Sequence, residues 1–226
     1  MRRVTLTFDN GPTPEVTPLV LDVLRDADVR ATFFVCGDQL VRPGAHDIVQ
    51  RAVDEGHWIG NHTMDQPHRF RFGDLDDPDA PQRQIGATQD LIGAFGHADR
   101  LFRPPGGGGR LDRHLLSEAA VDYLVAGMYS LVLWTAIPHD WDDQDGWVDR
   151  GLCEIGERDW SVVVLHDVAP GAMPHLPRLL SELRRMDVEL RQDFPDEVVP
   201  IRRGHRHGPI DHLVAVPAGT SGKGSS

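Results

Sequence analysis

The chain has 226 residues, of which 40% are hydrophobic, and it carries a formal net charge of −12 at pH 7. A chain of this length and composition can bury one sizeable core, so we expect a single domain. The negative charge argues against nucleic acid or an anionic membrane as the main partner. No apolar run reaches the roughly 18 residues that a membrane-spanning helix needs.

The amino terminus and the cysteines indicate a location inside the cell. Met1 and two arginines lead directly into a predicted strand, which leaves no room for a signal peptide. Cys36 and Cys153 lie far apart and lack the spacing of metal ligands, so we expect both to be buried, reduced thiols. We therefore predict a cytoplasmic protein.

The first predicted strand ends in polar residues. Residues 4–8 alternate β-branched and apolar side chains, and Asp9, Asn10, Gly11 and Pro12 follow. The Gly-Pro pair ends the strand and leaves Asp9 at its mouth. Taken alone, an aspartate at such a position more often caps the following helix, so its role depends on the other strand ends.

Predicted strands and helices alternate along the rest of the chain. The Thr13-Pro14-Glu15 sequence predicts a helix start with Thr13 as the N-cap. In chain order, the next predictions are a strand at 30–37, a helix at 45–55, a strand at 58–63, a loop at 65–81 and a helix at 82–95. A strand at 101–105, a helix at 111–120, a strand at 131–137, a helix at 147–157, a strand at 161–167, a helix at 174–190 and a strand at 197–201 complete them.

This alternation predicts a parallel sheet in an α/β fold. Nearly every predicted strand carries polar residues at its C-terminal end. In a (β/α) barrel those ends share one face, and that face holds the active site. We expect the barrel to span residues 1–201, followed by a loosely ordered tail at 202–226. Residues 220–226 resemble sequence that derives from a cloning vector.

Five short motifs occur in a set order at these strand ends, and together they carry a family resemblance. They are TFDNGP from Thr7, NHT from Asn61, FRPP from Phe102, HDW from His139 and VLHD from Val164. Over about residues 4–201, the chain resembles the polysaccharide deacetylase family, whose members remove acetyl groups from N- or O-acetylated sugars. The resemblance implies that family's distorted (β/α)7 barrel, a single domain similar to a TIM barrel.

The resemblance also implies an acid–base pair. Asp9 matches the general base that takes a proton from water, and Arg103 matches the cation that keeps this base ionised. His166 matches the acid that protonates the leaving nitrogen, and Asp140 matches the aspartate that orients it. The alternatives are a turn aspartate for Asp9 and a surface arginine for Arg103.

Three further positions match the family's acetyl pocket. Trp141 and Leu165 match its apolar walls, and core packing is the alternative for both. Gly106 stands where the family usually has a tyrosine whose backbone N–H helps to hold the oxyanion, and a glycine keeps that donor. Ile137 replaces an aspartate that is common three residues before Asp140. We expect this drier wall to suit something other than a long sugar chain.

The chain departs from the family at the metal ligands. The family binds a divalent metal, commonly zinc, through one aspartate and two histidines. Asn10 replaces the aspartate, His62 is the first histidine, and Gln66 replaces the second. Zinc prefers imidazole, thiolate and carboxylate over neutral amides, so we expect metal binding to be weak or absent. His68 is an alternative ligand, although Pro67 breaks the turn before it.

The retained residues predict a hydrolase that acts on a non-peptide carbon–nitrogen bond. We expect it to deacetylate an intracellular N-acetylated sugar or small molecule, with weak or no metal dependence. One alternative is a metal-independent acid–base enzyme that hydrolyses a cyclic ureide or imide, or runs an isomerisation or elimination. Another is a non-catalytic binding module. In each case the partner is a saccharide or small molecule, and neither nucleic acid nor a membrane.

Overall fold

The computed structural model describes residues 1–65, 70–168 and 170–216. Gln66 and His68, two of the predicted metal positions, lie outside the described residues. Within the described residues, no helix is both long enough and apolar enough to cross a membrane.

A single sheet carries the fold, and nine strands of it lie within the described residues. The strands are β1 Arg3–Asp9, β2 Thr32–Val35, β3 Trp58–Asn61, β4 Leu101–Phe102, β5 Ser130–Leu131, β6 Trp160–His166, β7 Glu189–Arg191, β8 Ile201–Arg202 and β9 His205–Arg206. Their order is β6-β1-β2-β3-β4-β5-β8-β9, and β7 pairs with β1. The strands from β6 to β5 are parallel, whereas β8 and β9 are antiparallel to their neighbours.

The sheet curls into a barrel, so that the chain after β5 comes to lie beside β6. After β5 the chain stays extended, and Val132 N–H donates to the carbonyl of Phe102 at 2.8 Å. Ala136 then forms a parallel bridge with Val163 of β6, and Val164 N–H donates to the carbonyl of Ala136 at 3.0 Å. The predicted (β/α) barrel is confirmed, and the antiparallel β8–β9 hairpin beside β5 distorts it.

Helices cover the outside of the barrel. They are α1 Thr17–Asp26, α2 Gly37–Leu40, α3 Ala45–Asp54, α4 Ala87–Ile92, α5 Glu118–Ala126, α6 Trp147–Gly156 and α7 Leu176–Arg185. The segment predicted as a helix at 82–95 begins with a π-helical turn and ends in a 3₁₀ turn around α4. The predictions at 45–55 and 147–157 are confirmed by α3 and α6.

The residues of β1 follow the two-residue period of a strand. Its outward side chains, Val4, Leu6 and Phe8, pack in the core layer beneath α1, α3 and α7. Its inward side chains are Thr5, Thr7 and Asp9, and all of them are buried. The polar side of the strand therefore faces the inside of the barrel and ends at Asp9.

The predicted start of the first helix is wrong by three residues, because the N-cap is Val16 and not Thr13. Thr13 is not an N-cap, because its hydroxyl donates to the carbonyl of Asp167 at 2.5 Å, across the top of the barrel. Its N–H donates to Thr17 Oγ1 at 2.7 Å. A turn therefore fills residues 13–16, and α1 begins at Thr17.

Two other helix predictions are wrong at their ends. The helix predicted at 111–120 begins only at Glu118, because Ser117 is the N-cap and accepts a hydrogen bond from Ala120 N–H. The helix predicted to reach residue 190 ends at Arg185, because residues 189–191 pair with β1 as β7. Tertiary pairing at β7 therefore overrides a helical pattern in the sequence.

Residues 202–216 belong to the fold, so the predicted loose tail is wrong over this range. Ile201 pairs with Leu131 across β8 and β5, which places this strand later than the predicted 197–201. Leu213 is fully buried, and its carbonyl accepts a hydrogen bond from Leu116 N–H at 2.9 Å. Residues 217–226 lie outside the described residues. Cys36 is buried as expected, but Cys153 is exposed on α6.

Replacing Leu213 tests whether the C-terminal segment is part of the domain. We expect Leu213→Ala to lower the free energy of unfolding by about 2 to 5 kcal/mol, because it removes a fully buried side chain. Urea denaturation followed by fluorescence measures this. Val216→Ala is the control, since Val216 is 68% exposed and should unfold like the wild type. Equal stability of both variants would show that the segment packs loosely.

Candidate active site

The polar ends of β1 and β6 lie side by side. Asp9 and His166 are register partners in this parallel pair, so their side chains point to the same face of the sheet. Both line a cavity of about 210 Å³ at the top of the barrel. The structure therefore brings the predicted base and the predicted acid into one pocket.

Arg103 holds the carboxylate of Asp9 in place. It follows β4 and is fully buried, and its guanidinium donates to Asp9 Oδ1 at 2.9 Å and to Thr7 Oγ1 at 2.6 Å. The other side of the guanidinium donates to the carbonyls of Val132 and Leu133 at 3.3 and 3.2 Å. The guanidinium therefore fixes the orientation of the Asp9 carboxylate and compensates its buried charge.

The ring of His62 lies on the other side of Asp9. Its Nδ1 is 2.8 Å from the carbonyl oxygen of Arg103. Because a carbonyl only accepts, Nδ1 carries the proton and donates, and Nε2 is left as an acceptor. Nε2 lies 3.5 Å from Asp9 Oδ2. Burial lowers the pKa of His62 although the charge of Asp9 opposes this, so the ring is neutral near pH 7.

Asp140 holds His166 by two hydrogen bonds. His166 donates from Nδ1 to Asp140 Oδ1 and from its backbone N–H to Asp140 Oδ2, both at 2.8 Å. Burial lowers the pKa of His166, but the hydrogen bond and charge of Asp140, with the charges of Asp9 and Asp167, outweigh burial and raise it. The ring therefore readily holds a proton on Nε2, which is the nitrogen that Asp140 leaves for a substrate.

The two predicted apolar walls have different outcomes. Trp141 lines the cavity, with its ring edge-on to His166 at a centroid distance of 4.7 Å. Leu165 does not, so that prediction is wrong: it is fully buried in the outer core beneath the helices. Neighbours on a strand point to opposite faces, so Val164 and His166 face the pocket and Leu165 faces away.

Gly106, the predicted oxyanion donor, lines the pocket. A Cβ at this position would come within 2.7 Å of the ring of Trp134, so the tryptophan fills the space that a side chain at residue 106 would need. A Cβ at Gly109 would meet Ile137 in the same way. The glycine loop, residues 106–109, therefore lies directly on Trp134 and Ile137, which form this side of the cavity.

Of the positions that correspond to the family's metal ligands, the described residues include Asn10 and His62. His62 offers one imidazole nitrogen, and Asn10 offers a neutral amide whose Oδ1 lies 3.9 Å from Cys36 Sγ. In the described part of the chain, no group of three His, Cys, Asp or Glu side chains could hold a metal ion. This donor set lacks the carboxylate that zinc sites of this kind use.

Several residues of the site were missed in the sequence. Thr7 accepts a hydrogen bond from Arg103, Val164 and Trp134 line the pocket, and Asp167 is buried directly after His166. The alternation of β6 around His166 predicts Val164 as a pocket residue. The alternation of β1 before Asp9 does the same for Thr7. No local sequence pattern identifies Trp134 as a pocket residue, because its position depends on the glycine loop above it.

Asp9 is ion-paired and His166 is hydrogen-bonded to a carboxylate, and both face one pocket at the strand ends of a barrel. This arrangement defines an acid–base enzyme site. The chain belongs to the polysaccharide deacetylase family. The sequence profile described as Polysaccharide deacetylase matches residues 1–124. A chitooligosaccharide deacetylase of Rhizobium leguminosarum bv. phaseoli is 35% identical over 173 residues, which cover 73% of this chain and 68% of that protein.

Another relative is considerably longer than this chain. The peptidoglycan-N-acetylglucosamine deacetylase PgdA of Listeria monocytogenes serotype 1/2a is 28% identical over 190 residues, which cover 83% of this chain and 37% of PgdA. Matches to the first curated relatives cover between 32% and 46% of the relatives' own length. Among solved structures, a family 4 carbohydrate esterase from Streptomyces lividans in complex with acetate is similar. Its TM-score is 0.70 at 25% identity, with 89% of this chain and 96% of that chain covered.

Replacing Asp140 tests the origin of the raised pKa of His166. We expect Asp140→Asn to lower the pKa of His166 by about 1 to 2 pH units, because the negative charge that favours the imidazolium is lost. NMR titration of the imidazole nitrogens measures this. Asp142→Asn is the control, because Asp142 lies on the same loop beside His139. A His166 titration that is unchanged in Asp140→Asn would contradict the assignment.

Proposed function

We propose that this protein hydrolyses the acetamido bond of an N-acetylated sugar, with Asp9 as the general base and His166 as the general acid. One observation carries the proposal. Asp9 and His166 are register partners that face the same cavity, and each is held by its own oppositely charged or hydrogen-bonded partner. The names of the relatives, which are peptidoglycan and chitooligosaccharide deacetylases, support an acetylated amino sugar as the substrate.

The geometry of Asp9 and His62 supports a way to hold water without a metal. Asp9 Oδ2 and His62 Nε2 are both acceptors, and they lie 3.5 Å apart. A water molecule has two protons, so one molecule in the pocket can donate to both acceptors at once. Its oxygen lone pairs then point towards the substrate. His62, a metal ligand in the family, acts here as a second acceptor for the nucleophile.

The reaction proceeds in two steps. Asp9 takes a proton from the water as the oxygen attacks the acetyl carbon, and a C–O bond forms while the C=O π electrons move onto the carbonyl oxygen. The Gly106 N–H stabilises this oxyanion. His166 then gives its Nε2 proton to the nitrogen, the C=O bond re-forms as the C–N bond breaks, and acetic acid and a free amine leave. Asp9 returns its proton to His166 through solvent.

We also propose that this reaction does not depend on a tightly bound metal. The neutral Asn10 in place of an aspartate supports this, because it removes the anionic ligand from the position beside the base. A metal contributes several kcal/mol to such transition states. We therefore expect a slow enzyme. The cytoplasmic location predicted from the sequence stays a prediction, and cell fractionation tests it.

Acetate release tests the roles of the two catalytic residues. With N-acetylglucosamine and its oligomers as substrates, we expect Asp9→Asn and His166→Ala each to lower kcat by a factor of about 10² to 10⁴. His212→Ala, which changes an exposed histidine in the last turn, should leave kcat unchanged. Turnover of a cyclic imide without acetate release from any N-acetylated sugar would contradict the proposal.

Restoring the family's metal ligands tests the interpretation that this site binds zinc weakly or not at all. We expect the double variant Asn10→Asp with Gln66→His to bind zinc at least about 10²-fold more tightly than the wild type, because it regains a carboxylate and an imidazole. Isothermal titration calorimetry with Zn²⁺ measures both affinities. Asn10→Ser is the control, because it removes the amide without adding a charge. Tight zinc binding by the wild type would contradict this reading.

A further inference from the structure

Asp167 is a buried carboxylate directly beside the catalytic histidine. It follows His166 at the end of β6 and is 1% exposed. Its Oδ2 accepts a hydrogen bond from Thr17 Oγ1 at 2.5 Å. Its Oδ1 is buried and has no hydrogen-bond partner among the described residues. A buried carboxylate with one unsatisfied oxygen lowers stability, so a function should offset that loss.

The same residue holds the turn that follows the catalytic base. The backbone carbonyl of Asp167 accepts a hydrogen bond from the Thr13 hydroxyl at 2.5 Å. Thr13 N–H donates to Thr17 Oγ1, whose own proton goes to Asp167 Oδ2. The carboxylate also lies against Gly11, where any Cβ would overlap both of its oxygens. These contacts join the residues after Asp9 and the start of α1 to the end of β6.

Hydrogen bonding alone does not explain why residue 167 is an aspartate. The oxygen of an asparagine would accept from Thr17 equally well, without a buried charge. The charged and titratable groups around Asp167 are His166 and Asp9, with Asp140 on the far side of His166 and Arg103 beyond Asp9. Burial is the main cause that raises the pKa of Asp167 to about 6, so its carboxyl is mostly ionised at neutral pH.

We propose that Asp167 is a positioning residue for the acid–base pair: its carboxylate fastens the turn after Asp9 to the strand end that carries His166, and its charge acts on the His166 imidazole. The proposal rests on the proposed function for its catalytic part. Asp167 does not line the cavity that Asp9 and His166 face. It acts through the spacing of Asp9 and His166 and through the protonation of His166.

Two variants separate the effect of the Thr17–Asp167 hydrogen bond from the effect of the Asp167 charge. Asp167→Asn keeps an acceptor for Thr17 and removes the charge, whereas Thr17→Val keeps the carboxyl group and removes its hydrogen bond. Ser161→Ala is the control, because Ser161 is a buried, unsatisfied hydroxyl at the other end of the same strand. Each variant is examined by NMR titration of the His166 ring, by kcat and KM for acetate release, and by thermal unfolding.

Loss of the charge and loss of the hydrogen bond have different expected results. Asp167→Asn should lower the pKa of His166 by about 0.5 to 1 pH unit and move the basic limb of the kcat profile to lower pH by the same amount. Thr17→Val should shift that pKa less than Asp167→Asn does, because the carboxyl group stays in place. It should lower kcat about 10-fold with KM within about twofold of wild type. Ser161→Ala should change neither quantity.

The proposal is overturned if Asp167→Asn leaves the His166 titration unchanged, or if Thr17→Val leaves kcat unchanged. Should Asp167→Asn fail to fold, titration of the wild-type protein decides the first point. The Asp167 carboxyl carbon and the His166 nitrogens should then each show the other's titration step. The NMR results do not depend on turnover. Absence of acetate release by the wild type would therefore overturn the proposed function and leave the charge effect measurable.

Discussion

The buried ion pair between Asp9 and Arg103 is the interaction on which the site depends. Arg103 is fully buried, and its guanidinium connects β1, through Asp9 and Thr7, with the carbonyls that follow β5. Removing one partner of such a pair leaves an uncompensated buried charge, which typically lowers stability by about 3 to 5 kcal/mol. The contact that joins these parts of the barrel is therefore also the one that orients the base.

Charge is arranged differently on the two sides of the pocket. On one side, Arg103 compensates Asp9, and burial keeps His62 neutral. On the other side, the carboxylates of Asp140 and Asp167 surround His166 and favour its protonated form. The base thus has a cation beside it while the acid retains its proton more readily than a free imidazole, which suits the two roles in an amide hydrolysis.

The sequence predicts the strand ends well and the turns poorly. Five motifs in order place Asp9, Arg103 and His166 on one face, because parallel strands must share that face. Local patterns are less informative where a contact comes from elsewhere in the chain. Thr13 looks like a helix cap but bonds to Asp167, and the Gly- and His-rich segment after Arg202 packs because β8 pairs with β5. The prediction of Leu165 as a pocket wall is wrong, although the two-residue period of β6 already assigns this side chain to the outer face.

The most direct test of the central claim is turnover by protein from which all metal has been removed. Acetate release from an N-acetylated sugar is measured after chelation, with elemental analysis of the same sample. We predict that kcat is unchanged by chelation and that it falls at high pH, as His166 loses its proton. A rate that disappears on chelation and returns in proportion to added zinc would contradict it.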